Sequence, residues 1–588
     1  MTVLPPIRRS SCHVAMPDGV RLAVDIWRSA GLADDHAQPT LLLSTRYWRA
    51  FDLAAGDLSL QPLHALASRS AVRGMAVVNV DSRGSGASFG TRRTEWSDEE
   101  RDDLATVMDW IVAQPWSDGR IAAHGYSYGG NTAFLAAATG HPALSVILPQ
   151  FADFDIYRHN LLPGGVPNIW LNDNWARLTA AQDHGDVHAL ADAMPGIDRA
   201  AFLHHVRGPA PVDGPDGPAL LAQAIGEHAG NFNIAATAHD VVCMDDAARL
   251  NAGRDVDAVL DADRFSIFCH KQAIEAAATP IVYWAGWFDA GTAEGAIELF
   301  RSVSNPMHVV IGAWSHGQRW QQDPFGGDGE PRLIPLDENF EDILDAAATP
   351  PSGKRLDYYV LGCNVWRSTD VWPPSGVAPL RFHFSEQGLV RTPMTADARQ
   401  WRADADASTG VRNRWWTQIN CMPVDHADRR SDDRRLLVHD TAPLAEALEI
   451  IGAPLVHLRL SCDSPDAAVF VYLEMIAPDG RVSLLTEAML RLLHRRTMPP
   501  GASRFEMEPA RSYSRADAAP VIPGEAMAIE IRMLPIAIRI PAGFRVRAGI
   551  AGADADTFGP VGNPAPQFTI HRGGDDGSWI DLPFLAAM

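Results

Sequence analysis

Short apolar runs alternate with amphipathic segments along the first quarter of the chain. The runs at residues 40–44 and 75–80 are apolar enough to predict buried parallel strands. Between the second run and the next, Ser97 precedes Glu100 by three residues, which is the capping-box signature of a helix start. Strand and helix signals that alternate in this way predict a mostly parallel sheet covered by helices on both faces.

The pattern changes twice further along. Residues 155–264 are rich in Ala, His, Asp and Gly-Pro breaks and show helical patches but no clear strand. Strand-like runs return at residues 280–284 and 307–312, so we interpret the intervening segment as an insertion into one sheet domain. After about residue 373, apolar and polar positions alternate with period two, which predicts an antiparallel β-sandwich.

The predicted fold class is therefore α/β: a mostly parallel sheet domain interrupted by a helical insertion and followed by an all-β domain. The predicted boundaries are 1–154 for the first part of the sheet domain, 155–266 for the helical insertion, 267–372 for the second part of the sheet domain and 373–588 for the β-domain.

Composition and charge narrow the functional classes. The chain has 588 residues, 46% hydrophobic and 21% charged, which is typical of a soluble multidomain protein. Its net charge of −22 opposes binding to nucleic acid or to an anionic membrane surface. The six cysteines are scattered singly, so neither a disulfide framework nor a metal site is expected. The N-terminus lacks a signal-peptide pattern, and we expect a cytoplasmic protein.

The strongest chemical signal is the sequence GYSYGG at residues 125–130. A G-x-S-x-G sequence between a strand and a helix is typical of a nucleophile elbow, in which a sharp turn exposes the serine hydroxyl. Here a strand signal precedes the motif, and a run of small residues typical of a close-packed helix follows it. We therefore predict that Ser127 is a catalytic nucleophile.

A serine hydroxyl needs a base to take its proton and an acid to orient that base. In α/β-hydrolases, where the nucleophile elbow occurs, the catalytic residues follow along the chain in the order serine, acid, histidine. Asp289 and His316 each follow a predicted strand in that order, so we assign them as acid and base. Asp153, which also follows a strand, is the main competing acid, whereas Asp81 precedes a turn and is better explained structurally.

The tetrahedral intermediate of such a reaction needs hydrogen-bond donors aimed at its oxyanion. The backbone N–H of Tyr128, directly after the nucleophile, is one candidate. The loop after the strand at residues 40–44 has no HGGG sequence to supply the other, but it carries Tyr47. The residues alone leave open whether the Tyr47 hydroxyl is that donor or the ring only packs.

Several segments together resemble the bacterial cocaine esterase / X-Pro dipeptidyl-peptidase family. They span nearly the whole chain: YW at 47–48, DSRGSGAS at 81–88, QPWSDGRIAAHGYSYGG at 114–130, GWFD at 286–289, IGAWSH at 311–316, WRSTDVWPP at 366–374 and PLAEALEIIGAP at 443–454. The resemblance implies that the sheet domain is an α/β-hydrolase domain, that the insertion is a helical cap and that the C-terminal all-β domain is a jelly roll. It also implies the same triad and a tyrosine hydroxyl in the oxyanion hole, which favours Tyr47.

The family includes esterases, dipeptidyl-peptidases, amino acid ester hydrolases and acylases. Its amino acid ester hydrolases resemble one another in acidic residues two and three positions after the triad aspartate, where this chain has Gly291 and Thr292. This argues against recognition of an amine, although Asp153 or Asp155 remains a candidate for that role.

Two sets of residues are candidates for the substrate pocket. Aromatic residues near the predicted site suggest an apolar acyl pocket: Trp48, Trp287, Phe288 and Trp170. Three arginines are alternative candidates for binding a substrate carboxylate, as an acylase of glutaryl-type substrates would require: Arg46, Arg49 and Arg158.

The sequence thus predicts a serine hydrolase that cleaves small acyl esters or amides through an acyl-enzyme. An amide-directed member of the same family is the alternative, and a non-catalytic protein that binds through its jelly roll is the alternative from another class. We expect a small-molecule substrate, no cofactor, no metal, no nucleic acid and no membrane, and leave a homo-oligomer open.

Overall fold

The computed structural model describes residues 5–246, 266–326, 329–503, 507–563 and 565–586. Its N-terminal part is built on a ten-stranded sheet. The strands are β1 Ile7–Ala15, β2 Arg21–Ser29, β3 Gln38–Thr45, β5 Ala76–Asp81, β6 Ser117–Tyr126, β7 Leu144–Gln150, β9 Ile281–Gly286, β10 Met307–Gly312, β13 Lys354–Val360 and β14 Val365–Thr369. Their order in the sheet is β1-β2-β5-β3-β6-β7-β9-β10-β13-β14. The strands from β5 to β13 in that order run parallel, and the pairs β1/β2, β2/β5 and β13/β14 are antiparallel.

Six helices of the described residues belong to this sheet domain. They are α1 His64–Val72, α2 Asp98–Val112, α3 Tyr128–Ala138, α9 Lys271–Ala277, α10 Thr292–Ser302 and α11 Leu336–Ala348. The predicted cap of α2 is present, since Ser97 Oγ accepts a hydrogen bond from the backbone N–H of Glu100. Helix α3 is buried along its whole length, which its small side chains permit.

The segment between β7 and β9 is mainly helical, and it also contains a short strand that the sequence pattern did not reveal. Strand β8 (Val206–Pro209) pairs with β4 (Phe51–Leu53) and ties the insertion to the loop after β3. The helices are α4 Ile169–Asp183, α5 Val187–Ala193, α6 Arg199–His205, α7 Gly217–Glu227 and α8 Ile234–Thr237. Residues 247–265 of the predicted cap lie outside the described residues.

The C-terminal part consists of two antiparallel sheets, in agreement with the period-two pattern. The nine-stranded sheet contains β15 Val377–Ser385, β16 Gly388–Val390, β17 Asp397–Arg402, β19 Leu448–Gly452, β20 Leu455–Cys462, β23 Met527–Arg532, β24 Ile536–Ile540, β26 Gln567–Arg572 and β27 Trp579–Leu585. The four-stranded sheet contains β18 Leu437–Asp440, β21 Ala468–Ile476, β22 Val482–Arg491 and β25 Arg545–Ala551. Two minor strands, β11 Trp320–Gln321 and β12 Arg332–Leu333, pair with each other, and a single helical turn, α12 Thr417–Asn420, precedes β18.

The predicted fold class is confirmed: an α/β domain with a helical insertion is followed by an all-β domain. Strands β3, β6, β9 and β10 run parallel, so their carboxyl ends meet at one edge of the sheet. In open α/β sheets this edge is where ligands bind. Within the described ranges, no helix is both long and apolar enough to cross a membrane.

Candidate active site

Ser127 occupies a strained turn between β6 and α3. Its φ of 56° and ψ of −126° lie in a region that residues with a side chain rarely adopt. The turn is so tight that a Cβ on Gly125 would lie only 2.4 Å from the carbonyl carbon of Gly129, so only glycine fits there. The Ser127 backbone N–H donates to the Gln150 carbonyl at 2.8 Å, which fixes the turn to β7. This is the geometry that the G-x-S-x-G sequence predicts.

His316 and Asp289 are buried and bonded to each other. Asp289 follows β9, and His316 follows the adjacent strand β10. Both carboxylate oxygens of Asp289 lie 3.0 Å from His316 Nδ1. Because a carboxylate can only accept, Nδ1 carries the proton and Nε2 is left as the basic nitrogen.

Besides His316, side chains from two helices, α10 and α12, hold the Asp289 carboxylate. Thr292 Oγ1, at the start of α10, lies 2.9 Å from Oδ2. Gln418 Nε2 donates to Oδ1 at 2.5 Å, and Thr417 Oγ1 lies 3.3 Å from the same oxygen. A fully hydrogen-bonded carboxylate holds the His316 ring in one orientation and one tautomer.

The turn that carries Ser127 also contacts His316, through the residue before the serine. The ring of Tyr126, the residue before Ser127, lies 6.1 Å from the His316 ring, centroid to centroid. Among the described residues, no hydrogen bond joins Ser127 Oγ to His316. In enzymes without bound substrate this contact is often long and tightens when substrate binds.

Tyr47 lies beside Ser127, and its hydroxyl is oriented by the cap. Trp175 Nε1, on α4, donates a hydrogen bond to the Tyr47 hydroxyl oxygen at 3.0 Å. Burial raises the pKa of Tyr47 to about 12, so the phenol keeps its proton at neutral pH. With one lone pair occupied by Trp175, the Tyr47 proton can be donated to another acceptor. Tyr128 is the first residue of α3, so its backbone N–H has no carbonyl partner within the helix.

Ser127 faces a narrow cavity to which all three parts of the chain contribute. Its polar members besides Ser127 are Tyr47, Tyr128, Asp153, Asn160 and Gln418. Its apolar members are Trp96, Ile156, Leu161, Leu171, Trp175 and Ile419. Half of the twelve lining residues are therefore apolar, and the polar half consists of the serine and five further residues.

The four aromatic residues predicted for the acyl pocket are not among these lining residues, and this part of the prediction needs correction. Trp48 donates to the Gln182 carbonyl and packs on Phe51. Trp287 and Phe288 are buried in the core, where the Trp287 indole donates to the Tyr359 carbonyl and the Phe288 ring meets His426. Trp170 stacks on Trp416, with ring centroids 4.4 Å apart. The cavity uses Trp96 and Trp175 instead.

The three arginines considered for a substrate carboxylate already have carboxylate partners in the fold. Arg46 bonds to Glu95 and Asp183, and Arg49 bonds to Asp25 and Asp81. Arg158 bonds to Asp155 and Glu298. None of the three is among the cavity-lining residues. These contacts also give Asp81 and Asp155 structural roles.

Gly291 and Thr292 have structural reasons for lacking a carboxylate. A Cβ on Gly291 would lie 2.7 Å from the His159 carbonyl oxygen, so no side chain fits there. The Thr292 hydroxyl lies between the backbone and side-chain oxygens of Asp289, at 2.9 Å from each. Position 291 thus has no room for a carboxylate, and the side chain at position 292 contacts the triad acid.

Asp153 is the one carboxyl group among the described residues that line the cavity. Its Oδ1 accepts a hydrogen bond from Asn160 Nδ2, and its backbone N–H donates to Asn131 Oδ1 at 2.8 Å. Burial, together with the nearby charge of Asp289, raises the pKa of Asp153 to about 7. Asp153 makes no hydrogen bond with His316 in the described ranges, so the competing assignment as the triad acid lacks the necessary contact.

Comparisons with known proteins agree with this architecture. Residues 18–318 match the family model described as X-Pro dipeptidyl-peptidase (S15 family), and residues 349–578 match the model of its C-terminal non-catalytic domain. A Mycobacterium bovis protein named "Putative serine esterase" is 34% identical over 98% of this chain and 96% of its own length. Cocaine esterase from a Rhodococcus species is 27% identical over 83% of this chain and 84% of that protein. An aminopeptidase structure from a marine sediment archaeon superposes with a TM-score of 0.71 at 18% identity, covering 100% of this chain and 98% of that one, which shows a common fold.

Proposed function

This chain belongs to the X-Pro dipeptidyl-peptidase (S15) family of serine hydrolases, and we propose that it hydrolyses small acyl esters with Ser127, His316 and Asp289 as its catalytic triad. The observation that carries the proposal is the strained turn that exposes Ser127 to a cavity beside a histidine held by a buried aspartate. Neither the sequence nor the described part of the structure offers a feature that favours a non-catalytic binding protein over a serine hydrolase.

The chemistry follows from the hydrogen-bond pattern. Ser127 Oγ attacks the ester carbonyl carbon while its proton passes to His316 Nε2. His316 then gives that proton to the departing alkoxide, which leaves an acyl group on Ser127. A water molecule, deprotonated by His316, attacks the acyl carbon, and the serine takes the proton back as the acid leaves. Asp289 stabilises the imidazolium in both half-reactions through Nδ1.

The Tyr47 hydroxyl and the Tyr128 backbone N–H are the proposed oxyanion donors. Both residues line the cavity with Ser127, and both groups are free to donate, for the reasons given above. Because burial raises the pKa of Tyr47 to about 12, its phenol is a neutral hydrogen-bond donor at neutral pH.

Replacing Tyr47 by phenylalanine is expected to lower kcat by about 10²–10³-fold with little change in KM. The hydroxyl would act on charge that develops only in the transition state, so ground-state binding should be almost unaffected. Steady-state kinetics on a chromogenic ester measures both constants. Tyr126→Phe is the matched control, because it removes a hydroxyl that does not line the cavity and keeps the ring that packs near His316. An unchanged kcat for Tyr47→Phe would make Tyr47 a packing residue.

The cavity favours an uncharged, apolar acyl group. Six apolar side chains line it, and each methylene buried among them contributes about 0.8 kcal/mol. The positions at which a carboxylate would recognise an amine have no room or are already bonded. An ammonium buried without a partner costs several kcal/mol.

We therefore expect kcat/KM to be higher for a neutral aryl-acyl ester than for the matching α-amino ester or an X-Pro anilide. The three substrates should be compared at one pH and one enzyme concentration. A preference of tenfold or more for either amine-bearing substrate would contradict the proposal. It would instead implicate Asp153 in binding the amine, since this carboxyl also lines the cavity.

A further inference from the structure

A short segment of the C-terminal domain reaches the triad acid. It centres on the single turn α12, and its residues Gln418 and Ile419 line the Ser127 cavity. Backbone contacts fix the segment to the loop that carries Asp289: the Ala290 N–H donates to the Arg414 carbonyl at 3.1 Å. The C-terminal domain therefore borders the site directly, although the family model that matches it is described as a non-catalytic domain.

The side-chain amide of Gln418 is fixed at both ends. Its Nε2 donates to Asp289 Oδ1 at 2.5 Å, and its Oε1 lies 3.5 Å from Asn160 Nδ2. Because a carboxylate cannot donate, the NH₂ end of Gln418 must face Asp289. Asn160 Nδ2 also donates to Asp153, so the amide belongs to a chain of hydrogen bonds from the triad to the cap side of the cavity.

The two oxygens of Asp289 are held from different parts of the fold. Oδ2 lies within hydrogen-bond distance of Thr292 on α10, and Oδ1 accepts from Gln418 on α12, while His316 Nδ1 lies 3.0 Å from both. The carboxylate is completely buried, so a lone pair that lost its donor could not turn to water. Without Gln418, the other groups near Oδ1 are His316 Nδ1 and Thr417 Oγ1, and the Thr417 hydroxyl lies closer to the Arg414 carbonyl, at 2.8 Å, than to Oδ1, at 3.3 Å. Oδ1 would then lose its shortest hydrogen bond, and small errors in the placement of the carboxylate pass directly to His316.

We propose that Gln418 is a positioning residue for Asp289, so that the C-terminal domain completes the catalytic site. The inference rests on the proposed triad. It adds a role for a residue that lies outside the α/β-hydrolase domain and 129 positions after the aspartate that it holds. The role is distinct from lining the substrate pocket, because it acts on the turnover step rather than on binding.

The first test is Gln418→Met, which keeps the length of the side chain and removes its donors. We expect kcat to fall by about 10–100-fold, the loss that a charge-assisted hydrogen bond or a small misplacement produces, while KM changes by less than about threefold. Gln400→Met is the matched control, since Gln400 is exposed on β17 of the same domain. A wild-type kcat for Gln418→Met would overturn the proposal.

The second test is Gln418→Glu, measured as the ratio of its kcat to the wild-type kcat over a range of pH. A protonated carboxyl group at this position donates to Asp289 as the amide does, whereas an ionised one repels it, so the ratio should fall as pH rises. A residue that only fills space would give a flat ratio, and a flat ratio would also overturn the proposal. This series decides the question even where Gln418→Met fails to fold.

The two proposals fail separately. If Ser127→Ala retains turnover, the triad itself is wrong and Gln418 has nothing to position. If Ser127→Ala is inactive and Gln418→Met turns over like the wild type, only the role of Gln418 is lost.

Discussion

Replacing Ser127 by alanine is expected to lower kcat for ester hydrolysis by about 10⁶-fold, the loss measured for a triad serine in a well-studied protease. The alanine variant keeps the cavity and the oxyanion donors but has no oxygen that can form the acyl-enzyme. The positive φ at position 127 costs alanine about as much as it costs serine, so the substitution should not change the fold. The measurement is turnover of a chromogenic ester, together with circular dichroism to check the fold.

Ser145→Ala is a suitable control for this change. Ser145 is exposed to solvent on β7, away from the cavity, and its hydroxyl only bonds to the Ile121 carbonyl. This variant should hydrolyse the ester at the wild-type rate. If Ser127→Ala retained more than a few per cent of the activity, the assignment of the nucleophile would be wrong.

Replacing Asp289 by asparagine is expected to lower kcat by about 10⁴-fold, as the same change does in a serine-protease triad. Among the residues that the structure describes, every group within hydrogen-bond distance of the Asp289 carboxylate can act as a donor: His316 Nδ1, Gln418 Nε2, Thr292 Oγ1 and Thr417 Oγ1. An asparagine offers one acceptor oxygen and adds two N–H donors, so one donor would face another. The His316 ring would then turn or take the wrong tautomer.

Asp153→Asn is the informative comparison, because Asp153 is the competing acid and lines the same cavity. Its carboxyl has no hydrogen bond to His316, so this change should cost far less in kcat than Asp289→Asn. Steady-state kinetics of the two variants on one ester measures the difference. The reverse order, with Asp153→Asn the more damaged enzyme, would transfer the role of triad acid to Asp153.

The parts of the site that could be predicted from the sequence are those set by local structure. A nucleophile elbow is a contiguous motif, and Asp289 and His316 each follow a strand with a clear apolar pattern. Parallel strands bring such positions to one edge of a sheet whatever the loops between them do. The predicted strand at residues 307–312 agrees with β10 residue for residue. The predicted α/β and all-β parts are confirmed for the same reason, since the spacing of apolar positions within a short segment distinguishes helices from strands.

The walls of the pocket could not be predicted in this way. Trp48 and Trp287 lie next to predicted site residues in the sequence, yet their rings point into other parts of the fold. Trp175 and Gln418, which do line the cavity, come from the helical insertion and from the C-terminal domain. Their approach depends on how these parts pack against the sheet, and no single segment carries a signal for that packing.

Labelling with a fluorophosphonate probe, followed by mass spectrometry of the peptides, tests the central claim most directly. The probe phosphonylates a serine that a neighbouring base has activated, so it reports the nucleophile independently of the natural substrate. The account predicts one modified peptide, with the adduct on Ser127, and its loss in Ser127→Ala. An adduct on another serine, or labelling that persists in Ser127→Ala, would contradict it.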